Sequence, residues 1–134
     1  MWLDDVAAHL AAEGHGSVPG TIFVGTVPAS PDVLLAVLMY PGLAPERVHD
    51  VAGPAYHRPR FQLWVRDRVS SSGYSTAYDR IHAADQDLDA VRNQTLGATR
   101  FLSITALQSP FEMPIDRNNR PQFVCNFQAV WAAS

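Results

Sequence analysis

The sequence contains no lysine, one cysteine and no long apolar run. All ten basic residues among its 134 are arginine, whose planar guanidinium suits bidentate pairing with carboxylates. A single cysteine, Cys125, excludes a disulfide framework and a cysteine metal cluster within the chain. No stretch approaches the roughly 20 apolar residues of a membrane-spanning helix, so we expect no membrane partner. The eight glycines are scattered, which argues against a glycine-rich phosphate loop.

Neither sign of charge is in large excess. The net charge is −3, which gives no general electrostatic attraction to nucleic acid or to anionic membranes. The first ten residues carry Asp4 and Asp5 and no cation, unlike a signal peptide, so we expect a cytosolic chain. With 47% hydrophobic residues, residues 1–134 are expected to form one globular domain.

Two segments show helical periodicity. Residues 74–92 carry apolar side chains every three or four positions, which predicts an amphipathic helix, and residues 93–97 should end it. A shorter helix is predicted over residues 2–13. The two expected apolar stripes are Tyr74, Tyr78, Ile81, Ala84, Leu88 and Val91 in the long helix, and Trp2, Leu3, Val6, Ala7 and Leu10 in the short one.

Other segments favour strands. Residues 33–40 are apolar on both sides, as in a central strand, and Pro41-Gly42 should close it. Alternating patterns predict strands at 58–66, 100–107 and 122–131, and a short strand is expected at 21–24. In the 100–107 strand, we expect Leu102, Ile104 and Ala106 on one face and Phe101, Ser103 and Thr105 on the other.

Two proline-containing segments, 41–57 and 108–120, are expected to be surface loops. The pattern as a whole predicts an α+β fold. We expect a two-layer domain with a mixed, mainly antiparallel β-sheet of about four to five strands, packed by two helices at roughly 2–13 and 74–92.

Candidate chemical groups are few. His49, Asp50 and His57 lie in the first loop, where a third ligand at metal spacing is missing. Asp85, Asp87 and Asp89 lack the glycine and the closing glutamate of a calcium loop. Cys125 alternates with phenylalanines and is expected in the core. We therefore expect no catalytic residue, metal or cofactor. A small enzyme or ligand-binding domain using His49, Asp50 and His57 remains an alternative.

Several motifs in the second half of the sequence are similar to those of a known protein family. They are Val91 to Leu96 (VRNQTL), Arg100 to Ile104 (RFLSI), Leu107 to Phe111 (LQSPF), Asp116 to Phe123 (DRNNRPQF) and Asn126-Phe127. In this order they resemble the minor capsid or tail terminator family of long-tailed bacteriophages. The first half matches more loosely, at residues 22–25, 28–32 and 59–66. Met113-Pro114 departs from the glycine expected there, and residues 41–57 match nothing in the family.

The resemblance implies a structural virion protein rather than an enzyme. It implies a ring, usually of six subunits, that caps the tail tube and offers a docking surface for the head. The implied partners are other copies of the chain, the tail tube protein and a head-completion or connector protein, with DNA passing through the ring without specific binding. The implied location is the head–tail junction of a virion assembled in the host cytoplasm. Another head–tail connector or head-completion subunit is the main alternative.

The loop at 108–120 is our candidate for subunit or partner contacts. It combines apolar groups with charges that can pair across a boundary. We expect the two prolines of this loop to keep it out of a regular strand. The predicted interface residues are Pro110, Phe111, Met113, Asp116, Arg117 and Arg120. The alternative is a loop that folds back on its own domain.

Overall fold

The computed structural model describes residues 1–18, 20–46 and 55–132. In chain order the elements are α1 (Trp2–Ala12), β1 (Ile22–Val24), β2 (Leu34–Glu46), β3 (Tyr56–Arg66), α2 (Gly73–Asp89), β4 (Arg92–Leu96), β5 (Thr99–Ala106), β6 (Phe111–Met113) and β7 (Gln122–Ala132). The predicted α+β class is confirmed. No helix in the described ranges is long and apolar enough to span a membrane.

Both predicted helices form, but the buried stripe of α2 is rotated from the predicted one. Gly73, Ala77, Ile81, Ala84 and Leu88 face the core. The two tyrosines predicted for that stripe, Tyr74 and Tyr78, lie on its flank and are exposed, because a small residue at position 77 lets the helix approach the sheet there. The helix also ends earlier than predicted.

Residues 93–97 were predicted only to end the helix, and this was wrong. Residues 93–96 belong to β4, which pairs antiparallel with β5. Asn93 adopts a φ of 50°, in the left-handed region that asparagine tolerates better than most residues. The chain therefore passes from helix into strand with very little intervening loop.

The strands form one seven-stranded sheet in the order β1-β2-β3-β7-β5-β4, with β6 also pairing with β7. The prediction of four to five strands was too low, because β4 and β6 were missed. The sheet is mixed, since β1 runs parallel to β2 whereas the other pairs are antiparallel. Strand β2 lies second from the edge of the sheet, between β1 and β3, and not at its centre as predicted. It has four consecutive buried residues, Leu34 to Val37, as its uninterrupted apolar sequence predicted.

The predicted end of β2 at Pro41-Gly42 was wrong. The strand continues to Glu46 and pairs with the start of β3, so part of the predicted 41–57 loop is strand. The register shifts on both sides of Leu43, and such irregular pairing leaves room for a residue without an N–H donor. At Gly42 the backbone of Arg58 to Arg60 passes so close that a side chain would collide with it. We call residues 39–45 and 56–59 the arm.

The predicted faces of β5 were partly wrong for a similar reason. The register of β5 against β7 shifts between Phe101 and Ser103. A bulge of this kind interrupts the two-residue alternation. As a result Phe101 and Ile104, which were predicted on opposite faces, are both buried in the core.

The core lies between the two helices and one face of the sheet. It includes the parallel-stacked rings of Phe61 and Phe127, whose centroids are 5.1 Å apart. Among the described residues, the other face of the sheet carries no helix and is mostly polar at its centre. We call it the open face. Three cross-strand hydrogen bonds of 3.0–3.1 Å connect β3 to β7 there: Arg60 to Gln128, Gln62 to Asn126, and Trp64 to Gln122.

Candidate functional site

The last strand, β7, has a different surface at each of its ends. Its first residues, Gln122 to Val124, pair with β6, and we call this the loop end. Its last residues pair with the start of β3, where His57 lies opposite Trp131, and we call this the arm end. Eight residues separate Phe123 from Trp131, so the two ends lie roughly 27 Å apart along the strand.

At the loop end, the segment 108–120 contains the short strand β6. The prediction that its prolines prevent a strand was wrong, because Pro110 and Pro114 lie just outside Phe111–Met113 and leave its N–H groups free to pair. Phe111 lies opposite Val124 and Met113 opposite Gln122, so both are on the open face. Glu112 is on the face that carries the helices.

The segment then makes a tight turn organised by Asp116. Its Oδ1 accepts hydrogen bonds from the backbone N–H of Asn118 and of Arg120, both at 3.0 Å. Its carbonyl accepts another from Asn119 at 2.9 Å. Asn119 has a φ of 61°, which asparagine tolerates at turns. The DRNNR sequence therefore fixes this turn through local hydrogen bonds.

Arg120 is 5% exposed and joins the turn to the segment 28–32. Its Nε donates to Asp116 Oδ2 at 2.7 Å, and its Nη1 donates to the Ala29 carbonyl at 2.6 Å and to Asp32 Oδ1 at 3.0 Å. Burial alone would raise the pKa of Asp116, but the hydrogen bonds from Arg120 and Asn118 hold that pKa below its ordinary value. Asp116 is therefore a carboxylate bound within its own chain.

A second buried arginine, Arg66, binds the same segment. Its Nη2 donates to the carbonyls of Pro28 and Pro31, both at 2.7 Å, and its Nε donates to the carbonyl of Asp32 at 3.3 Å. Burial, and then the neighbouring charge of Arg120, lowers the pKa of Arg66. We call Arg66, Arg120 and Asp116, with the segment 28–32, the arginine clamp. Sequence reasoning found Arg120 and Asp116 but not Arg66.

The six predicted interface residues divide by exposure. Phe111 is 40% exposed and Arg117 is exposed, whereas Pro110, Met113 and Asp116 are partly buried and Arg120 is buried. Ile115, 59% exposed, adds a large apolar group to the same turn. The loop end thus presents an apolar tip above a charged network that is satisfied within the chain.

The helix-side face of the loop end carries aromatic groups as well. The rings of Tyr74 and Tyr78 meet the ring of Phe123 edge-on, with centroids 5.1 and 5.7 Å apart. A hydrogen bond to Glu112 raises the pKa of Tyr74, so its phenol stays protonated near neutral pH. These tyrosines partly cover Phe123 while remaining exposed themselves.

The arm end contains an apolar cleft of about 490 Å³. The arm forms one wall, and α1 and the end of β7 supply the rest. Its lining residues are Trp2, Met39, Tyr40, Pro41, Gly42, Leu43, Pro45, His57, Arg58, Pro59 and Trp131. Met39 and Leu43 are 54% and 46% exposed, which is high for large apolar side chains. Sequence reasoning missed this cleft because the arm was assigned to a loop.

Of the three residues of the alternative site, His49, Asp50 and His57, the structure describes His57. His49 and Asp50 lie outside the described residues. His57 stacks on Trp131, with ring centroids 4.1 Å apart and an interplanar angle of 23°, so it forms part of the cleft wall. Within residues 1–18, 20–46 and 55–132 there is no group of three metal-ligating side chains.

Cys125 lies in the core, as its alternation with phenylalanines predicted. Its Sγ lies 3.2 Å from the Gln108 carbonyl, to which the thiol donates. Burial raises the pKa of this thiol to about 12. Since the thiolate is the reactive form, Cys125 stays protonated and unreactive at neutral pH.

Exposed apolar surfaces of this kind are typical of protein–protein contact sites. A family model described as "Bacteriophage tail terminator protein" matches residues 9–132. The chain belongs to this family and is a tail-associated structural protein of the phage virion. The resemblance seen in the sequence is thereby confirmed. No curated protein sequence matches the chain.

Solved structures share its fold. One is a chain of the "Virion of native gene transfer agent (GTA) particle", with a TM-score of 0.65 and 18% identity, and the match covers 96% of this chain and 92% of that one. Another solved chain has a TM-score of 0.51 and 13% identity, with 99% and 91% covered. At these identities the likeness is one of fold.

Proposed function

We propose that the protein is the terminator subunit that closes a hexameric ring on the end of the tail tube, at the head–tail junction, and provides the surface onto which the head docks. The observation that carries this beyond family membership is the pair of different exposed apolar surfaces at the two ends of β7. One is the tip at Phe111 and Ile115, and the other is the arm cleft.

Ring geometry explains why two unlike surfaces matter. A closed ring of identical subunits uses head-to-tail contacts, so each copy presents one surface to the preceding neighbour and a different one to the next. A stable contact covers roughly 800 Å² on each partner. Two such contacts would occupy roughly a quarter of the 7102 Å² surface of this chain, which leaves area for the tail tube and the head.

Within the loop end, the predicted interface residues take two roles in this proposal. Phe111, Met113, Pro110 and Arg117 are near the surface and make the contact. Asp116 and Arg120 hold the turn in shape from below. A preformed loop loses less conformational entropy on binding than a mobile one, so buried charges can assist an interface without touching the partner.

The electrostatics suit a passage for DNA. A net charge of −3 gives little attraction for phosphates, and DNA binding of a non-specific kind depends on neutralising phosphates with cations. The proposed partners are therefore other copies of the chain, the tail tube protein and a head-completion or connector protein. DNA would cross the ring without specific binding.

The test is removal of the gene from the phage, with electron microscopy of the lysate. We expect filled heads and tail tubes that remain unjoined, and we expect purified protein added to that lysate to restore joined particles. Empty or leaking heads beside normal tails would instead indicate a head-completion subunit. Normal joined particles would refute a role at the junction.

A further inference from the structure

We infer that the cleft at the arm end is the receptor for the loop end of a second copy, so that the Phe111 to Ile115 tip of one subunit inserts between the arm and Trp131 of its neighbour. This inference rests on the proposed ring and names the contact that closes it. The occupant is a segment of this same chain, supplied by the adjacent subunit.

The size and lining of the cleft suit a few large apolar side chains. Its volume of about 490 Å³ falls within the roughly 300–1,000 Å³ of ordinary binding clefts. That is too small for a whole helix or domain. Trp2, His57 and Trp131 provide flat walls, and aromatic walls of this kind are typical of the energetic centres of protein interfaces.

The tip has the matching properties. Phe111 and Ile115 project from a segment whose base is fixed by β6 pairing and by the arginine clamp. A large side chain on a fixed base can fill a neighbour's pocket with little loss of conformational freedom. The apolar area that both surfaces now expose to water would be removed by one contact.

Charged side chains border both apolar surfaces. Arg58 is the charged residue in the cleft lining, and its guanidinium donates to the Ala44 carbonyl at 2.7 and 2.9 Å. Glu112 is exposed next to Phe111 in the sequence, but on the face of the sheet that carries the helices. Arg117 is also exposed at the tip, and in this arrangement it lies on the rim, where charges contribute little to affinity.

The cleft cannot be filled by the tip of the same chain. The two surfaces are at opposite ends of β7, roughly 27 Å apart, and the hydrogen bonds of β6 and the clamp hold the tip at its own end. A contact between them therefore joins different subunits. Because the two surfaces differ, repetition of that contact produces a ring or an open chain of subunits, not a two-fold dimer.

The experiment is cross-linking inside assembled particles. A phage lacking the gene is complemented with the double variant Phe111→Cys, Leu43→Cys, and purified virions are treated with a short bis-maleimide. Cys125 does not interfere, because its thiol is buried away from the reagent. We expect a ladder of covalent multimers that extends beyond the dimer. The matched control, Phe111→Cys with Val18→Cys, places its second thiol at an exposed valine outside both surfaces and should give no ladder.

Several results would overturn the inference. Uncross-linked chains in virions that contain the double variant would show that the tip and the cleft do not meet. Dimers from the single variant Phe111→Cys would show a two-fold contact between tips. A second pair, Ile115→Cys with Met39→Cys, repeats the test at positions that are also exposed. Wild-type protein is supplied together with each double variant, so that particles form and contain adjacent variant copies.

Failure of this inference can be distinguished from failure of the proposed function. If the chain is absent from the head–tail junction, the proposed function itself fails. If the chain is present at the junction and neither cysteine pair cross-links, the ring uses other surfaces and only the tip-in-cleft contact is refuted.

Discussion

The irregular segments at the two ends of β7 differ in which of their side chains are buried and which are exposed. At the loop end, buried arginines satisfy the carbonyls and carboxylates of the adjoining segments, and the charged network is nearly closed within the chain. At the arm end, large apolar side chains such as Met39 and Leu43 stay in contact with water. Within the described part of the chain, Arg58 there donates to the arm's own backbone, at the Ala44 carbonyl.

This difference distinguishes the contacts that stabilise the subunit itself from the surfaces that are available to a partner. Buried hydrogen bonds to charged groups fix one geometry, because breaking them leaves unpaired groups away from water. Exposed apolar side chains contribute little to the isolated fold and gain free energy only when something covers them. The loop end therefore combines both properties, with a rigid base and an apolar tip, whereas the arm end offers a receptive cleft.

Mutations in the core between the two ends should cause the largest loss of unfolding free energy. Leu88 is fully buried under the sheet, so Leu88→Ala should lower the free energy of unfolding by about 2–5 kcal/mol. Urea unfolding measures this, with the exposed Gln86→Ala on the same helix as control, expected within about 0.5 kcal/mol of wild type. A loss below roughly 0.5 kcal/mol at Leu88 would contradict the packing of α2.

Removing the clamp should have the next largest effect. Arg120→Ala leaves Asp116 without its main partner and should cost about 2 kcal/mol. This is less than for a deep ion pair, because the side chains of the partner carboxylates Asp116 and Asp32 are 19% and 63% exposed. Arg117→Ala is the matched control, since Arg117 is exposed three residues away and should change stability by under about 0.5 kcal/mol. Equal losses from both variants would show that the clamp adds no stability of its own.

The pH dependence of the clamp gives a smaller effect. The folded-state pKa of Asp116 lies below its ordinary value of 3.8, so its contribution is present above that value and is lost as pH falls through the folded pKa. At neutral pH, Asp116→Asn should destabilise the protein by at most about 1 kcal/mol. The difference from wild type should shrink as the pH falls below 3.8 and vanish once the pH is below the folded-state pKa of Asp116. A difference that grows on acidification would contradict the assignment.

The smallest effect on stability should accompany the largest effect on assembly. Phe111→Asp replaces a side chain at the exposed tip, so circular dichroism and the unfolding free energy should change little, by about 0.5 kcal/mol or less. Complementation of a phage lacking the gene should nevertheless give a strongly reduced infectious yield, because a carboxylate cannot enter an apolar cleft unpaired. Val18→Asp, outside both surfaces, should complement normally. Normal yield from Phe111→Asp would remove the tip from any interface.

Sequence periodicity predicted the regular elements well. The helix at 2–13 and the strands around 58–66 and 122–131 were found because each has a clean apolar period, and each contributes buried side chains to the core. The failures lie where pairing is irregular. Bulges in β2 and β5 cannot be seen in a one-dimensional pattern, since they depend on the neighbouring strand. A three-residue strand such as β6 is too short for any period.

The candidate site was predictable only in outline. The composition of 108–120 identified an unusual apolar and charged segment, but not that Arg120 is bound by the segment 28–32, almost 90 residues away in the sequence. The arm cleft was missed because its walls come from α1, β2, β3 and β7 together. Its only local signs were the prolines around Gly42 and the His-Arg-Pro sequence at 57–59, both of which also occur in ordinary loops.

The most direct test of the account is a cryo-electron microscopy map of the whole virion at the head–tail junction. We expect one ring of this chain between the head and the tail tube, with the Phe111 to Ile115 tip of each subunit seated in the arm cleft of the next. A junction built without this chain, or a ring in which every arm cleft faces solvent, would contradict it.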